Sequence, residues 1–123
     1  MRTIEKRIIN YLRDSENYAK SKDLSIRDSV EMGKNTKCVY LWDHCVFTLD
    51  KENNVKFSLQ GWNTSTTKGR INALLLAFSS CSARIYQKNY QLVFSSSEGV
   101  FPIDSDKVYT IKNGKPEEVE SIF

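Results

Sequence analysis

Residues 61–78 read Gly-Trp-Asn-Thr-Ser-Thr-Thr-Lys-Gly-Arg-Ile-Asn-Ala-Leu-Leu-Leu-Ala-Phe and gather the chain's densest set of ligand-contacting groups. Trp62 offers a ring able to stack on a base. Thr64, Thr66 and Thr67 offer hydroxyls, and Lys68 and Arg70 offer cations. The free N–H groups at the start of a helix here would suit an anion. A second basic element lies near the N-terminus, where Arg2, Lys6 and Arg13 align on one side of a helical wheel as a ridge for phosphates. Beside each reading stands a plainer one: charged helix faces are commonly just solvated, and a Trp is commonly a core or corner residue.

Other chemistries lack their groups. Cys38, Cys45 and Cys81 form an odd set without regular spacing, which argues against a disulfide framework and for a reducing compartment. There is no C-x-x-C or H-x-x-x-H pair, and His44 and Cys45, as neighbours on a strand, point to opposite faces. They can neither chelate one ion easily nor act together as a thiol and its base. Asp104 and Asp106 sit in a turn-like setting, and no G-x-S-x-G sequence is present. The expectation is a protein without catalytic activity, cofactor or metal.

The 123 residues suit one domain, with 40% hydrophobic and 27% charged residues. The net charge of +3 is concentrated toward the N-terminal third; it permits nucleic-acid contact without requiring it. The N-terminus lacks a signal-peptide pattern, and the longest apolar run, residues 73–78, is far below the roughly 18 residues of a membrane span. A soluble cytosolic protein with no membrane partner is expected.

The elements that must position these groups follow from periodicity. Ile4, Ile8, Tyr11 and Leu12 define a helix from residue 3 to about 12, followed by a polar loop to residue 28. Strands at 37–42 and 45–49 flank a turn at Asp43-His44, and a third at 55–59 completes a meander. Ile71, Leu74, Leu75 and Phe78 then mark a helix facing the sheet, with Ser65 or Thr66 as N-cap. Gly69 costs that helix about 1 kcal/mol relative to Ala, which close approach of another backbone would explain. Ala73, Leu76 and Ala77 make the helix apolar nearly all round, so it is either enclosed by the fold or covered by a partner, a homodimer included. A hairpin follows at 83–94, then an edge strand or extended segment containing Pro102, and a strand at 108–111 before the Asn113-Gly114 turn. The whole reads as an α+β domain. Residues 1–28 supply a helix and loop, 29–112 an antiparallel sheet with a central helix, and 113–123 a loosely packed tail, with the helices packed on one side.

The segment Gly61-Trp62-Asn63-Thr64-Ser65-Thr66-Thr67-Lys68-Gly69-Arg70-Ile71-Asn72-Ala73-Leu74-Leu75 resembles a family of small tailed-bacteriophage proteins. Their pattern runs from a strand ending in Gly-Trp to Thr-x-Thr-Thr-Lys-x-Arg-Leu/Ile-Asn-Ala-Leu. The upstream hairpin at 39–47 and the segment 85–89 with Leu92 are similar to the family's, so the likeness covers about residues 36–94. Trp42 and His44 depart from the family's small or Gly-containing turn. The resemblance implies expression in the cytoplasm of an infected bacterial host. By analogy it also implies a non-enzymatic protein that blocks a host protein or ribonucleoprotein effector, of anti-CRISPR or other anti-defence type. The alternative expectation is a small nucleic-acid binder using the basic ridge and the element from Trp62 to Arg70. Trp42, Tyr86, Tyr90 and Phe101 are candidate anchors for a protein partner.

Overall fold

Helix α1 (Thr3–Arg13) forms where Ile8, Ile9 and Leu12 supply a buried stripe and polar residues take the opposite side. Glu5 holds its start, with Oε1 accepting from the Arg2 backbone N–H at 3.0 Å. Near its other end the buried Lys37 ammonium donates to the Leu12 carbonyl at 2.6 Å, placing a cation at the negative end of the helix dipole. The computed structural model describes residues 1–14 and 21–123; residues 15–20 of the expected polar loop lie outside the described residues.

Strands β1 (Lys22–Asp23), β2 (Asp28–Met32), β3 (Thr36–Leu41), β4 (His44–Asp50) and β5 (Val55–Phe57) follow one another antiparallel. The expected three-strand meander is therefore the centre of a longer one. Strand β9 (Val108–Lys112) joins β5, and β10 (Lys115–Val119) joins β9, giving the order β1-β2-β3-β4-β5-β9-β10. Val30, Val39, Phe47, Phe57 and Tyr109 are successive register partners, so they form one apolar row across a single face. Helix α2 (Ser65–Phe78) lays Ile71, Leu74 and Leu75 into the same core, and α1 packs beside it. Burial of each such side chain contributes about 1.5–3 kcal/mol relative to exposure.

A second sheet, β6 (Arg84–Lys88), β7 (Gln91–Ser96) and β8 (Gly99–Pro102), turns Ile85, Leu92 and Phe94 into that core. Phe94 stacks on Phe57 with centroids 5.9 Å apart, joining the two sheets. Pro102 lies on the edge strand β8, where its missing N–H costs no ladder bond. The chain is thus α+β, an antiparallel sheet with both helices against one face.

The other face of the large sheet carries Cys38, Cys45 and Thr48, covered by Ile122. The Thr48 hydroxyl donates to the Ile122 carbonyl at 3.0 Å, and Ile122 is buried. The segment expected to pack loosely is thus a strand followed by a buried anchor, because Asn113-Gly114 folds it back onto β9. Enclosure of α2 is incomplete: Ala73 is buried, but Leu76 is 69% exposed on the outer side.

Three local expectations are corrected. The N-cap of α2 is Thr64, not Ser65 or Thr66; its backbone is extended and its Oγ1 accepts from Thr67 N at 3.1 Å. The neighbour of Gly69 is the Glu5 carboxylate, 3.6 Å from where a Cβ would stand, and not another backbone. Arg70, expected to meet a ligand, is 1% exposed. Its Nε donates to Asp28 Oδ1 at 2.6 Å and its Nη1 to Glu5 Oε2 at 2.9 Å. Burial opposes its charge, but the hydrogen bonds and charges of Asp28 and Glu5 outweigh that and raise its pKa above the ordinary arginine value.

Candidate functional site

Three irregular segments converge beside the first turn of α2. The first is the turn between β3 and β4. Trp42 and Asp43 both have left-handed backbone, φ 51° and 65°, so this two-residue turn falls one position earlier than the expected Asp43-His44. The register shifts between Val39 and Tyr40, pairing Tyr40 with Cys45 and leaving Val46 as an extra residue on β4. Left-handed backbone is unfavourable for a bulky aromatic residue. A hydrogen bond from Trp42 N to the Arg27 carbonyl at 2.8 Å ties the turn to the second segment, the loop before β2.

That loop is fixed from behind. Ser25 Oγ donates to Asp28 Oδ2 at 2.9 Å while Asp28 is clamped by the buried Arg70, so Ile26 and Arg27 project outward. The third segment follows β5. Gln60 and Gly61 are left-handed, and Gly61 N donates to the Ser105 carbonyl at 2.8 Å. Space around Gly61 is open, so its φ of 79° is what requires glycine. Trp62 N then donates to the Leu59 carbonyl at 2.8 Å, turning the indole toward His44 with ring centroids 5.2 Å apart.

Together these segments enclose a cavity of about 210 Å³ lined by Arg27, Trp42, His44, Trp62, Thr64, Thr66 and Thr67 over an apolar floor of Leu41, Val46 and Leu59. Trp42 is 52% and Trp62 49% exposed, so both tryptophans of the chain open onto this one cavity. Among the described residues, no carboxylate lines it. Among the described residues, no acidic side chain pairs with Arg27. Ser65 and Thr66 occupy the first turn of α2, where helix geometry leaves backbone N–H groups unbonded within the helix.

The anticipated site residues divide. Trp62, Thr64, Thr66 and Thr67 line the cavity. Thr67 is buried, with its hydroxyl 2.9 Å from that of Thr64, so it forms wall and cap. Lys68 is half-buried outside the cavity, and Arg70 lies behind it in the core. Arg2, Lys6 and Arg13 are exposed along α1. Arg13 lies over the Phe78 ring at 5.7 Å, at the opposite end of α2 from Thr64, about 20 Å away for a helix of this length. The Arg13 end of the ridge is therefore remote from the Trp62 element, whereas Arg2 and Lys6 flank Glu5, which meets Arg70 of α2.

Trp42 enters the site from a hairpin tip and His44 from the start of β4. Arg27 lies in a polar stretch with no distinguishing pattern; the contact of Asp28 with Arg70 and the hydrogen bonds of its own backbone to Trp42 and Ser25 place it. His44 opens to the cavity while Cys45 faces the opposite side of the sheet beside Cys38. Among the described residues, His44 meets the Trp62 ring and no thiol or carboxylate at bonding distance. The arrangement can stack a ring and attract an anion.

Comparison with family profiles matches residues 1–113 to the Kyanoviridae Gp96 protein family. Comparison with curated proteins and with solved structures found no match. The matched span contains the 36–94 segment that resembles phage proteins and extends over α1 and most of the large sheet. This chain belongs to the Kyanoviridae Gp96 family of phage proteins.

Proposed function

We propose that the chain is a non-catalytic binding protein that acts in the cytoplasm of the infected bacterium. It blocks a host or defence factor, of anti-CRISPR or other anti-defence type, by covering part of that factor's surface. One observation carries the reading: both tryptophans are about half exposed at one end of the molecule, with Ile26 89% exposed beside them. Soluble domains bury most tryptophan surface, and exposed Trp with a neighbouring Arg is the composition of binding hot spots. Family membership supports a role during infection without specifying the target.

The test is capture of host proteins on the immobilised chain, compared with Ile26→Asp and Trp42→Ala variants that keep the wild-type circular dichroism spectrum. A partner retained by wild type and lost by both variants is expected. Equal recovery on all three would remove this end of the molecule from the reading, and no specific recovery would remove the reading itself. Nucleic-acid binding through the α1 ridge is the competing outcome. It would appear as a salt-dependent gel shift that Lys6→Ala and Arg13→Ala weaken.

A further inference from the structure

We infer that the cavity between Trp42 and Trp62 is a binding pocket for a nucleoside monophosphate, with the base against the indoles and the phosphate toward Arg27 and Thr66. The inference goes beyond the blocking role and does not depend on it, since it concerns the isolated chain and a small ligand.

The aromatic half of the argument is that the indole surfaces are open. Among the described residues, Trp62 has one ring neighbour, His44, in a tilted arrangement at 5.2 Å. Trp42 has no ring partner among the described residues, though it lines the same cavity. Its left-handed backbone is that of a two-residue hairpin turn, as at Asn89-Tyr90, and it sets the indole at the hairpin tip. Base–aromatic stacking is the interaction such surfaces favour most, and it tolerates any base.

The charged half is the lining itself. Among the described residues, Arg27 has no carboxylate at ion-pair distance and none lines the cavity, which Thr66 borders, although Asp23, Asp28 and Asp43 line an adjoining hollow that shares Arg27 and Trp42. A guanidinium beside hydroxyl donors fits phosphate oxygens. A carboxylate side chain would leave the indoles unused, and a free phosphate would do the same. A group using both halves must join a planar ring to an anion. The cavity of about 210 Å³ is smaller than the roughly 300–1,000 Å³ of sites that enclose a drug-sized ligand, so it takes the base and leaves the sugar and phosphate at the rim, where Arg27 is exposed.

Because both tryptophans border the cavity, intrinsic fluorescence reports directly on its occupancy. The purified full chain is titrated with AMP, CMP, adenosine, phenyl phosphate and inorganic phosphate, and calorimetry repeats the AMP titration. Saturable quenching by AMP and CMP is expected, with adenosine binding about fivefold or more weakly. Arg27→Ala should bring AMP and adenosine to equal affinity, and Trp62→Ala should weaken AMP by about fivefold or more. Arg13→Ala, at the far end of α2, should leave AMP affinity unchanged. Absence of saturable binding of AMP and CMP up to millimolar concentration overturns the proposal. So does equal affinity for AMP and adenosine in wild type, or phenyl phosphate or inorganic phosphate binding as tightly as AMP. Circular dichroism of each variant confirms that the fold is intact.

Discussion

Asn72 and Ile85 are joined by two hydrogen bonds: Asn72 Nδ2 donates to the Ile85 carbonyl at 2.9 Å, and Ile85 N donates to Asn72 Oδ1 at 2.7 Å. Strand β6 is an edge of its sheet, and these groups of Ile85 point away from β7. A side chain on α2 therefore takes the place of a missing strand. The same helix contributes Arg70 to the ion cluster and Thr64 as cap, so the resemblance segment acts mainly in construction. Asn72→Ala leaves both groups of Ile85 without their partner and should cost about 1–3 kcal/mol in urea denaturation. A change below a few tenths of a kcal/mol would show that water replaces the amide fully.

Arg70 joins α1, α2 and the start of β2 through Glu5 and Asp28. Removing it leaves two carboxylates without their cation in the interior. Arg70→Met should therefore destabilise the fold by about 3–5 kcal/mol in equilibrium unfolding. Arg70→Lys should also lose stability, because an ammonium cannot reproduce the fork that meets Asp28 through both Nε and Nη2.

Gly69 provides the opposite case. A Cβ there would meet only Glu5 Oε2, at an ordinary contact distance of 3.6 Å. Gly69→Ala should raise stability by about 0.5–1 kcal/mol through helix propensity and reduced freedom of the unfolded chain. Thermal unfolding of the pair reads the difference.

These three residues show what was legible. Alternation in β3, β4 and β5 and the stripe on α2 follow from neighbours a few positions apart, so strands and helix could be read directly. The turn after β3 was displaced by one because the bulge at Val46 shifts register without leaving a compositional mark. Arg70 looked like Lys68, another cation near a helix start; its burial depends on Asp28, 42 positions away, and Glu5, 65 positions away. The site was half legible for the same reason. Trp62 and the threonines are contiguous, whereas Arg27 and Trp42 come from segments distant in sequence.

Asp50 should shape the acid limb of stability. Burial pulls its pKa up, but hydrogen bonds from the Asn54 backbone and side chain and from Glu52 N outweigh this and hold it below the usual carboxylate value. A lowered folded pKa contributes stability that is fully present above about pH 4 and lost as pH falls through the folded value. Asp50→Ala should therefore be less stable than wild type at pH 7, with the gap narrowing in strong acid. Urea midpoints of both proteins across that range provide the measurement.

Thiol labelling tests the two faces of the large sheet. The hydrogen bond with Cys38 and then burial push the Cys45 thiol up, which keeps it protonated and unreactive at neutral pH. Iodoacetamide should modify the half-buried Cys81 first, with Cys38 and Cys45 protected until the chain unfolds. Peptide mass spectrometry over time distinguishes the three sites.

The bond from Thr48 to Ile122 spans 74 positions of sequence. At a synthesis rate of about 5–20 residues per second, Ile122 is made roughly 4–15 s after Thr48. Until Ile122 is made, its cover over Cys38, Cys45 and Thr48 cannot form. Closure of that side of the sheet therefore waits for the last described residues of the chain.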